Sequence, residues 1–299
     1  MKDDDEILIE NMRCYAERYD EKEYVGKLDL DKVLRSPQIA NQQGDENPEI
    51  YKEFFKFASS LAKEFPDWHV LGYMMTTQGY TIDAAGNIEH MYSRKIEDHP
   101  IVKAAKKAPK EFKEFSVSSL ASAREYSKYH LNALINNKEA LNLKNEDIAD
   151  IMHDALVKRD PSDKNDLARA AFYKLMASDN KGLLKDFISK YPNDFGEISQ
   201  ITAKQGYEVL LALGDGGKSP VNPDVQEWID KNPETYEKIA QTAIIDHCSK
   251  YQDSKQQGQF DALTKMINRS FMAKNPEFTA RLKQKMNNQS AQTRSQGRY

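Results

Sequence analysis

Cysteine is scarce in this sequence, because only Cys14 and Cys248 occur among 299 residues. A disulfide framework or a cysteine-rich zinc site needs several cysteines at short spacings. The composition therefore excludes both, and two reduced thiols in a cytoplasmic setting are the simplest interpretation. A chain of this length can bury a sizeable core without covalent or metal crosslinks, and no cofactor or metal is expected.

Long apolar runs are also missing. The longest is the five-residue run Val209–Leu213, whereas a membrane-spanning helix needs about 20 residues. The first six residues, MKDDDE, are acidic, the reverse of the positive start of a signal peptide. We therefore expect no membrane insertion and a cytoplasmic protein, or one secreted into a host cytoplasm without a cleaved signal peptide.

The chain also has no excess of basic residues. The chain has 43 basic and 47 acidic residues and a formal net charge of −4, whereas a general nucleic-acid binder has a basic excess. We therefore expect no general nucleic-acid binding. The run from Lys103 to Lys113 holds five lysines and one glutamate, and its simplest interpretation is a solvated helix face.

The residues that are present favour a folded, mainly α-helical protein. Apolar residues make up 39% of the chain, with 15 Tyr, 12 Phe and 2 Trp, and a disordered chain would lack these aromatics. Apolar positions recur at helical spacing, with breaks at prolines. We predict a multi-helix bundle or a short irregular α-solenoid, with helices at 101–108, 110–136, 145–158, 164–177, 180–190, 194–213, 223–231, 234–252, 258–273 and from Asn275.

One segment, near residues 79–92, has the pattern of a small β-hairpin. Tyr80 and Ile82 alternate with polar residues, residues 83–87 have turn composition, and Ile88, His90 and Tyr92 alternate again. A ribbon on a helical body can serve as a contact element, which makes Tyr80, His90 and Tyr92 candidate partner-binding residues. The alternative is a flap that covers a helix end.

The domain organisation predicted from these patterns has three parts. Residues 1–140 form an N-terminal helical lobe that carries the hairpin, and residues 141–286 form a C-terminal helical lobe with units of about 42 residues. Residues 287–299, NNQSAQTRSQGRY, have no core-forming pattern and are predicted to be a disordered tail.

A basic residue stands two positions before proline at 7 of the 11 prolines, where composition alone predicts about 1.6. A cation in the last turn of a helix meets the negative end of the helix dipole. The residue before proline leaves helical geometry readily, and proline is suited to the first position of the next helix. The pattern therefore predicts tight helix–helix junctions.

Three of these junctions align without gaps over twelve residues: 187–198, 228–239 and 271–282. Each has a large aromatic, an aliphatic, a lysine, the proline, and an aliphatic six residues after it. The prolines Pro192, Pro233 and Pro276 are 41 and 43 residues apart, within the range of helical-pair repeats such as HEAT and armadillo. The functional interpretation is a solenoid with a partner-binding surface. The alternative is an irregular bundle in which unrelated helix ends have acquired the same basic-residue–proline pattern independently.

Residues 212–219, ALGDGGKS, match a loose phosphate-loop pattern with Ala in place of the first Gly. Such a loop needs a preceding strand and a following helix whose first turn holds the Lys and Ser, here Lys218 and Ser219. Pro220 follows at once and disfavours helical geometry at Ser219. A glycine-rich loop that ends a helix is the preferred interpretation.

His153-Asp154, within a helical stretch, resembles the metal-binding doublet of the HD-domain phosphohydrolases, which are also all-helical. The resemblance covers these two residues, and it implies an upstream His and a downstream Asp, for which His130 and the distant Asp246 are the candidates. Ala155-Leu156-Val157 departs from the small residues that usually follow the doublet. An exposed polar pair on an amphipathic helix is the alternative interpretation.

The triplet Asp246-His247-Cys248 cannot supply a nucleophile and its base, since consecutive helical residues point apart. We therefore favour a non-enzymatic helical protein that binds a protein partner, as an adaptor or as a secreted effector of an intracellular bacterium acting on host proteins. The alternative is a helical metal-dependent, HD-like phosphohydrolase that uses His130, His153 and Asp154. The oligomeric state stays open.

Overall fold

A computed structural model provides the structure of the chain, and helix dominates the residues it describes. These are residues 51, 52, 55, 56, 58, 59, 62, 63, 80–82, 88–90, 100–123, 127–159, 164–214, 221–251 and 253–296. Within them lie thirteen helices with defined ends and two three-residue strands, so the prediction of a mainly α protein is confirmed. Predictions for the remaining residues lie outside the described part.

The two strands fall where the hairpin was predicted. β1, Tyr80–Ile82, pairs antiparallel with β2, Ile88–His90, and Tyr80 lies opposite His90. Residues 83–87 and Tyr92 lie outside the described residues. The connecting turn, and therefore the complete hairpin, stays a prediction.

The chain divides into two compact units, Met1–Lys174 and Leu175–Tyr299. The first unit contains α1, Pro100–Lys107; α2, Pro109–Ser122; α3, Ser127–Asn136; α4, Asn145–Lys158; and nearly all of α5, Lys164–Met176. Within this unit α4 packs along α2, which buries the apolar faces of both helices. The predicted boundary at residue 140 stays a prediction.

An aromatic cluster forms part of the core of the first unit. The Phe55 ring meets Phe112 edge-on, with centroids 5.4 Å apart, and stacks on Phe115 at 5.8 Å. All three side chains are fully buried. The described residues between 51 and 63 are helical, so α2 packs against this helical segment as well as against α4.

The predicted continuous helix over 110–136 is wrong, because α2 ends at Ser122 and α3 begins at Ser127. The Nη1 group of buried Arg159, which follows α4, donates to the Leu120 carbonyl at 3.3 Å and to Ser127 Oγ at 3.1 Å. A cation here pairs with a carbonyl in the last turn of α2 and favours a helix end. One side chain thus links α2, α3 and the end of α4.

The start of α4 is fixed by Asp147. Its carboxylate accepts hydrogen bonds from Lys113 Nζ at 2.5 Å and from the Lys144 backbone N–H at 2.8 Å. Burial raises the pKa of Asp147, but these two hydrogen bonds and the charges of Lys113 and Lys144 together outweigh it and hold the pKa below its ordinary value. The ion pair also ties α2 to α4 beside the helix N-terminus.

The second unit contains eight helices after α5. They are α6, Lys181–Lys190; α7, Pro192–Gln205; α8, Glu208–Leu213; α9, Pro223–Lys231; α10, Pro233–Cys248; α11, Asp253–Thr264; α12, Arg269–Lys274; and α13, Phe278–Gln296. The predicted single helix over 194–213 is wrong, since Gly206 is extended, with φ −176° and ψ 166°. The predicted helix over 258–273 is also interrupted, and α12 starts where Asn268 Oδ1 accepts the Phe271 N–H at 2.9 Å.

Six of these helices form three helical pairs: α6 with α7, α9 with α10, and α12 with α13. α6 packs on α9, α7 on α10, and α10 on α13. The first helices of the first two pairs are therefore neighbours, and the second helices of all three pairs are neighbours in turn; α12 reaches α9 through the bond from Lys274 to Asp230. In every pair the first helix ends at a lysine two residues before a proline.

Polar contacts with a constant sequence separation join the second and third pairs. Lys274 bonds Asp230 at 2.7 Å, Arg281 bonds Glu237 at 3.0 Å, and Lys285 Nζ donates to Gln241 Oε1 at 2.8 Å. Each contact spans 44 residues. The third pair thus lies on the second in one continuous register.

The last helix extends into the predicted tail. α13 runs to Gln296, so residues 287–296 are helical where disorder was predicted. Met286 is buried, and Asn287 and Asn288 after it are exposed.

Candidate partner-binding groove

The junctions inside the three helical pairs share one backbone conformation. Tyr191, Asn232 and Asn275, each directly before a proline, have φ of −130°, −129° and −130° and ψ of 57°, 51° and 63°. In the first unit Ala108, which precedes Pro109, has φ −129° and ψ 64°. Four different positions therefore adopt one conformation, because proline excludes the helical region for the residue before it.

The aligned aromatic residues meet across neighbouring pairs. Phe195 of the first pair contacts Trp228 of the second with centroids 4.9 Å apart and an interplanar angle of 87°. Tyr236 of the second pair contacts Phe271 of the third, also at 4.9 Å, at 70°. Edge-to-face contact is the preferred geometry of aromatic rings, so equivalent positions make equivalent contacts.

Trp228 is held tightly between the first and second pairs. Its side chain is 2% exposed, and Nε1 donates to the Pro192 carbonyl at 3.0 Å. Gly196 permits this approach, since a Cβ there would lie 3.3 Å from Trp228 Cζ2 and 3.0 Å from Thr235 Cγ2. The indole is therefore a fixed wall rather than a mobile side chain.

Two cavities open on either side of Trp228. The first, of about 270 Å³, is lined by residues of α6 and α9, by Pro192 of α7 and by the junction residue Asn232: Lys185, Ile188, Ser189, Pro192, Asp224, Glu227, Trp228, Lys231 and Asn232. The second, of about 180 Å³, is lined by residues of α7, by Trp228 of α9, by Asn232 and by Thr235 of α10: Pro192, Asn193, Gly196, Glu197, Gln200, Trp228, Asn232 and Thr235. Because both share Pro192, Trp228 and Asn232, we treat them together as the Trp228 groove.

The charges of the first cavity are partly neutralised within the fold. Lys231 Nζ lies 2.5 Å from Glu227 Oε1, one helical turn away. Hydrogen bonding and attraction from Lys231 lower the pKa of the Glu227 carboxyl below its usual value. Lys185 and Asp224 are the other charged residues of this cavity.

The second cavity is dominated by neutral polar side chains. Asn193, Gln200, Asn232 and Thr235 line it, with Glu197 as the single ionisable residue. Asn232 Nδ2 already donates to the Trp228 carbonyl at 2.9 Å. Carboxamides carry both donors and acceptors, which match the alternating N–H and C=O groups of an extended peptide.

The structure does not gather the candidate phosphohydrolase residues. His130 is completely buried, with Nδ1 3.2 Å from Ser119 Oγ. In α4, Asp154 is exposed and His153 is half-buried. Among the described residues, no group of three or more His, Cys, Asp or Glu side chains could hold a metal ion.

The remaining candidates are the hairpin residues, the phosphate-loop pattern and Cys248. Lys218, Ser219 and Tyr92 lie outside the described residues, as do the side chains of Tyr80 and His90. The phosphate-loop pattern follows helix α8 rather than a strand, and its Gly214 is buried. Burial raises the pKa of the Cys248 thiol to about 11, which leaves this cysteine an unreactive core residue.

Sequence reasoning missed the groove residues Asn193, Gln200 and Thr235. The aligned junctions did identify Trp228 as an equivalent of Phe187 and Phe271, but only as architecture. The available signal was that Trp replaces Phe at one of three aligned positions. Unlike Phe, Trp has a ring N–H to donate, and its hydrogen bond to the Pro192 carbonyl fixes the wall of the groove.

Three comparisons with known proteins found no match. No family model matches the chain, no curated protein matches its sequence, and no solved structure matches its fold. Within the described residues, none of the helices is both long enough and apolar enough to cross a membrane.

Proposed function

We propose that this chain is a non-enzymatic, helical protein-interaction module, and that the Trp228 groove binds an extended segment of a protein partner. The carrying observation is that equivalent junctions and aromatic contacts stack the helical pairs, with an amide-lined groove where two of them meet. Stacked helical pairs of this kind form a short solenoid-like array. Such arrays bind partners along extended surfaces.

The chemistry of the groove favours a peptide backbone as its occupant. Asn193, Gln200 and Thr235 offer neutral hydrogen-bonding groups beside the rigid face of Trp228. Main-chain recognition gives affinity with little dependence on sequence, and adjacent pockets select side chains. The first cavity, which holds Lys185 and Asp224, is the place for that selection.

A larger cavity in the first unit is less suited to this role. It measures about 430 Å³ and lies between α2 and α4. Its lining contains three lysines, three carboxylates and the apolar residues Val117 and Ile151. Charges that balance within the fold provide little attraction for a partner, since exposed ion pairs contribute little.

The paired substitutions Gln200→Arg and Gln205→Arg test the groove. Both glutamines lie on α7, but only Gln200 lines the groove, while Gln205 is exposed at the helix end. Extended peptides selected on the wild-type protein from a random library should bind Gln205→Arg with unchanged Kd. Their binding to Gln200→Arg should weaken at least tenfold, about 1.4 kcal/mol.

Two outcomes would overturn the proposal. One is that no extended peptide is selected on the folded wild-type protein. The other is that Gln200→Arg binds the selected peptides as tightly as wild type does, with both variants showing wild-type circular dichroism. A role for Tyr80, His90 and Tyr92 would instead be supported if deletion of residues 79–92, and not Gln200→Arg, abolished binding.

The setting that we propose for this module is a host cytoplasm, as an effector of an intracellular bacterium. Composition and the polar C-terminal residues 287–299 support it, since an uncleaved C-terminal tail can act as an export signal. A reporter enzyme fused to the N-terminus should reach the host cytoplasm, and removal of residues 287–299 should stop it. Export that is independent of those residues would contradict this part of the proposal.

A further inference from the structure

The second helices of the three pairs carry a glutamine at the same position. Gln200, Gln241 and Gln284 each stand eight residues after the junction proline of their pair. Glutamine makes up 16 of the 299 residues, so composition alone rarely places it at all three positions. Gln200 and Gln241 are half-buried, and Gln284 is exposed. These three side chains are named the glutamine row.

The packing of the second helices brings the glutamine row together. α7 packs along α10, and α10 packs on α13. Lys285, directly after Gln284, donates to Gln241 Oε1 at 2.8 Å, so the second and third members are neighbours. Gln200 lines the second cavity of the Trp228 groove. The row therefore begins in the groove and continues from it across α10 and α13.

The middle carboxamide of the row is held in place and can still bind a ligand. A carboxamide has two N–H donors and two lone pairs on its oxygen. Gln241 Nε2 donates to Glu237 Oε1 at 2.9 Å, and Gln241 Oε1 accepts from Lys285. These contacts fix the orientation of the amide and use one of its two N–H groups. The second N–H remains as a donor, so the row can offer one N–H from each helical pair.

The spacing of the row selects the conformation of a ligand. Packed helices lie about 8–10 Å apart, which sets the distance from one glutamine to the next. A polyproline II segment rises about 3.1 Å per residue and completes a turn in three residues, about 9.3 Å. Every third carbonyl of such a segment therefore points to the same side at the interval of the row. A β-strand repeats its faces every two residues, about 6.6 Å, and does not match this interval.

The walls of the Trp228 groove suit proline rings. Ile188 and Pro192 line the first cavity beside Trp228, and the indole is fixed by its bond to the Pro192 carbonyl. Proline-rich segments bind in grooves lined by aromatic residues, and they lose little conformational entropy because the polyproline II form exists before binding. Proline has no N–H. Such a segment therefore offers carbonyl acceptors and takes its donors from the receptor, where the glutamine row supplies them.

We propose that the partner segment of the Trp228 groove is proline-rich and binds in the polyproline II conformation, with every third carbonyl accepting an N–H of the glutamine row. This inference rests on the proposed function of the groove and names the chemistry of its partner. The row spans two helix spacings, about 19 Å, which equals six steps of about 3.1 Å. A segment of about seven residues therefore reaches from Gln200 to Gln284, and one of about four residues reaches only to Gln241.

Fluorescence anisotropy with labelled oligoprolines, titrated with the full chain, tests the assignment. Heptaproline should bind about fivefold more tightly than tetraproline, because it makes one more hydrogen bond. Gln284→Ala should weaken heptaproline binding about fivefold and leave tetraproline binding unchanged. Gln205→Ala is the matched control, since Gln205 is also an exposed glutamine on a helix of the second unit and lies outside the row. It should leave the Kd of both peptides within about twofold of wild type.

The outcomes separate this inference from the proposed function. If peptides selected from the random library bind the Trp228 groove and oligoprolines do not, the polyproline II assignment is overturned and the peptide-binding function remains. A glycine–serine heptapeptide that binds as tightly as heptaproline has the same consequence. Equal weakening of both oligoprolines by Gln284→Ala shows a structural effect and overturns the row. Oligoproline binding that Gln200→Arg leaves unchanged places the segment outside the groove and overturns both proposals.

Discussion

A methyl group added at Gly214 should disrupt the packing of the second unit. A Cβ at this residue would lie well inside van der Waals contact of the Met266 carbonyl oxygen and 2.5 Å from the Leu210 carbonyl oxygen. Both obstacles are backbone atoms, and one of them already accepts the Gly214 N–H at 2.8 Å. The backbone before α12 must therefore move to accept Gly214→Ala, whereas a flexible side chain could rotate away.

The expected loss of stability is about 3 kcal/mol, at the upper end of the usual cost of overpacking. For a unit of this size that corresponds to a fall of roughly 10 °C in Tm. Gly258→Ala in α11 is the matched control, because a Cβ there meets nothing within 4 Å. Replacement of a helical glycine by alanine should stabilise the protein by about 0.5–1 kcal/mol.

Differential scanning calorimetry and urea unfolding of the two variants measure this contrast. The reasoning fails if Gly214→Ala melts within 2 °C of the wild-type protein. It also fails if both alanine variants lose stability equally, because the close backbone approach would then play no part. A true phosphate loop predicts a different result, in which Gly214→Ala abolishes nucleotide binding and leaves Tm unchanged.

Three further substitutions test individual contacts. Asp147→Asn should reduce the free energy of unfolding by about 1 kcal/mol at pH 6. Because the pKa of Asp147 is lowered in the folded state, its stabilisation is present above the ordinary aspartate pKa and is lost as the pH falls through the lowered folded value. A gap from wild type that does not shrink as the pH is lowered through the acid range would contradict this. Arg159→Ala should cost about 3 kcal/mol in urea unfolding, because it removes donors from buried acceptors, and Arg159→Lys should recover only part of it; equal stability of both variants would refute the bridging role. Trp228→Phe should cost about 1 kcal/mol by loss of the Nε1 hydrogen bond, against about 3–5 kcal/mol for Trp228→Ala, and equal losses would show that the ring contact contributes nothing.

Local backbone rules explain why most of the helices were predictable from sequence. Proline restricts both itself and the residue before it, so the junctions at Pro109, Pro192 and Pro233 could be placed within one or two residues. The breaks at Gly206 and after Thr264 were missed. Glycine permits an extended residue without requiring one, and the composition around Thr264 has no strong turn signal.

The groove was beyond sequence reasoning for a different reason. Gln200 and Thr235 are ordinary polar residues on two different helices, and only the packing of α7 on α10 places them in one cavity. The role of Arg159 was hidden in the same way. Its pattern predicts a cation at the end of its own helix, whereas its side chain bonds the Leu120 carbonyl of α2. Hydrogen bonds across 39 residues leave no periodic trace in sequence.

The junctions before Pro109, Pro192, Pro233 and Pro276 show that one backbone turn accepts different side chains. Alanine, tyrosine and asparagine adopt nearly the same φ and ψ at the four positions before proline. Pro109, Pro192, Pro233 and Pro276 therefore set the backbone of the preceding residue whatever its side chain is. A protein engineer could vary Tyr191 and keep the turn between α6 and α7, whereas Asn232 and Asn275 also donate their carboxamides to the Trp228 and Phe271 carbonyls.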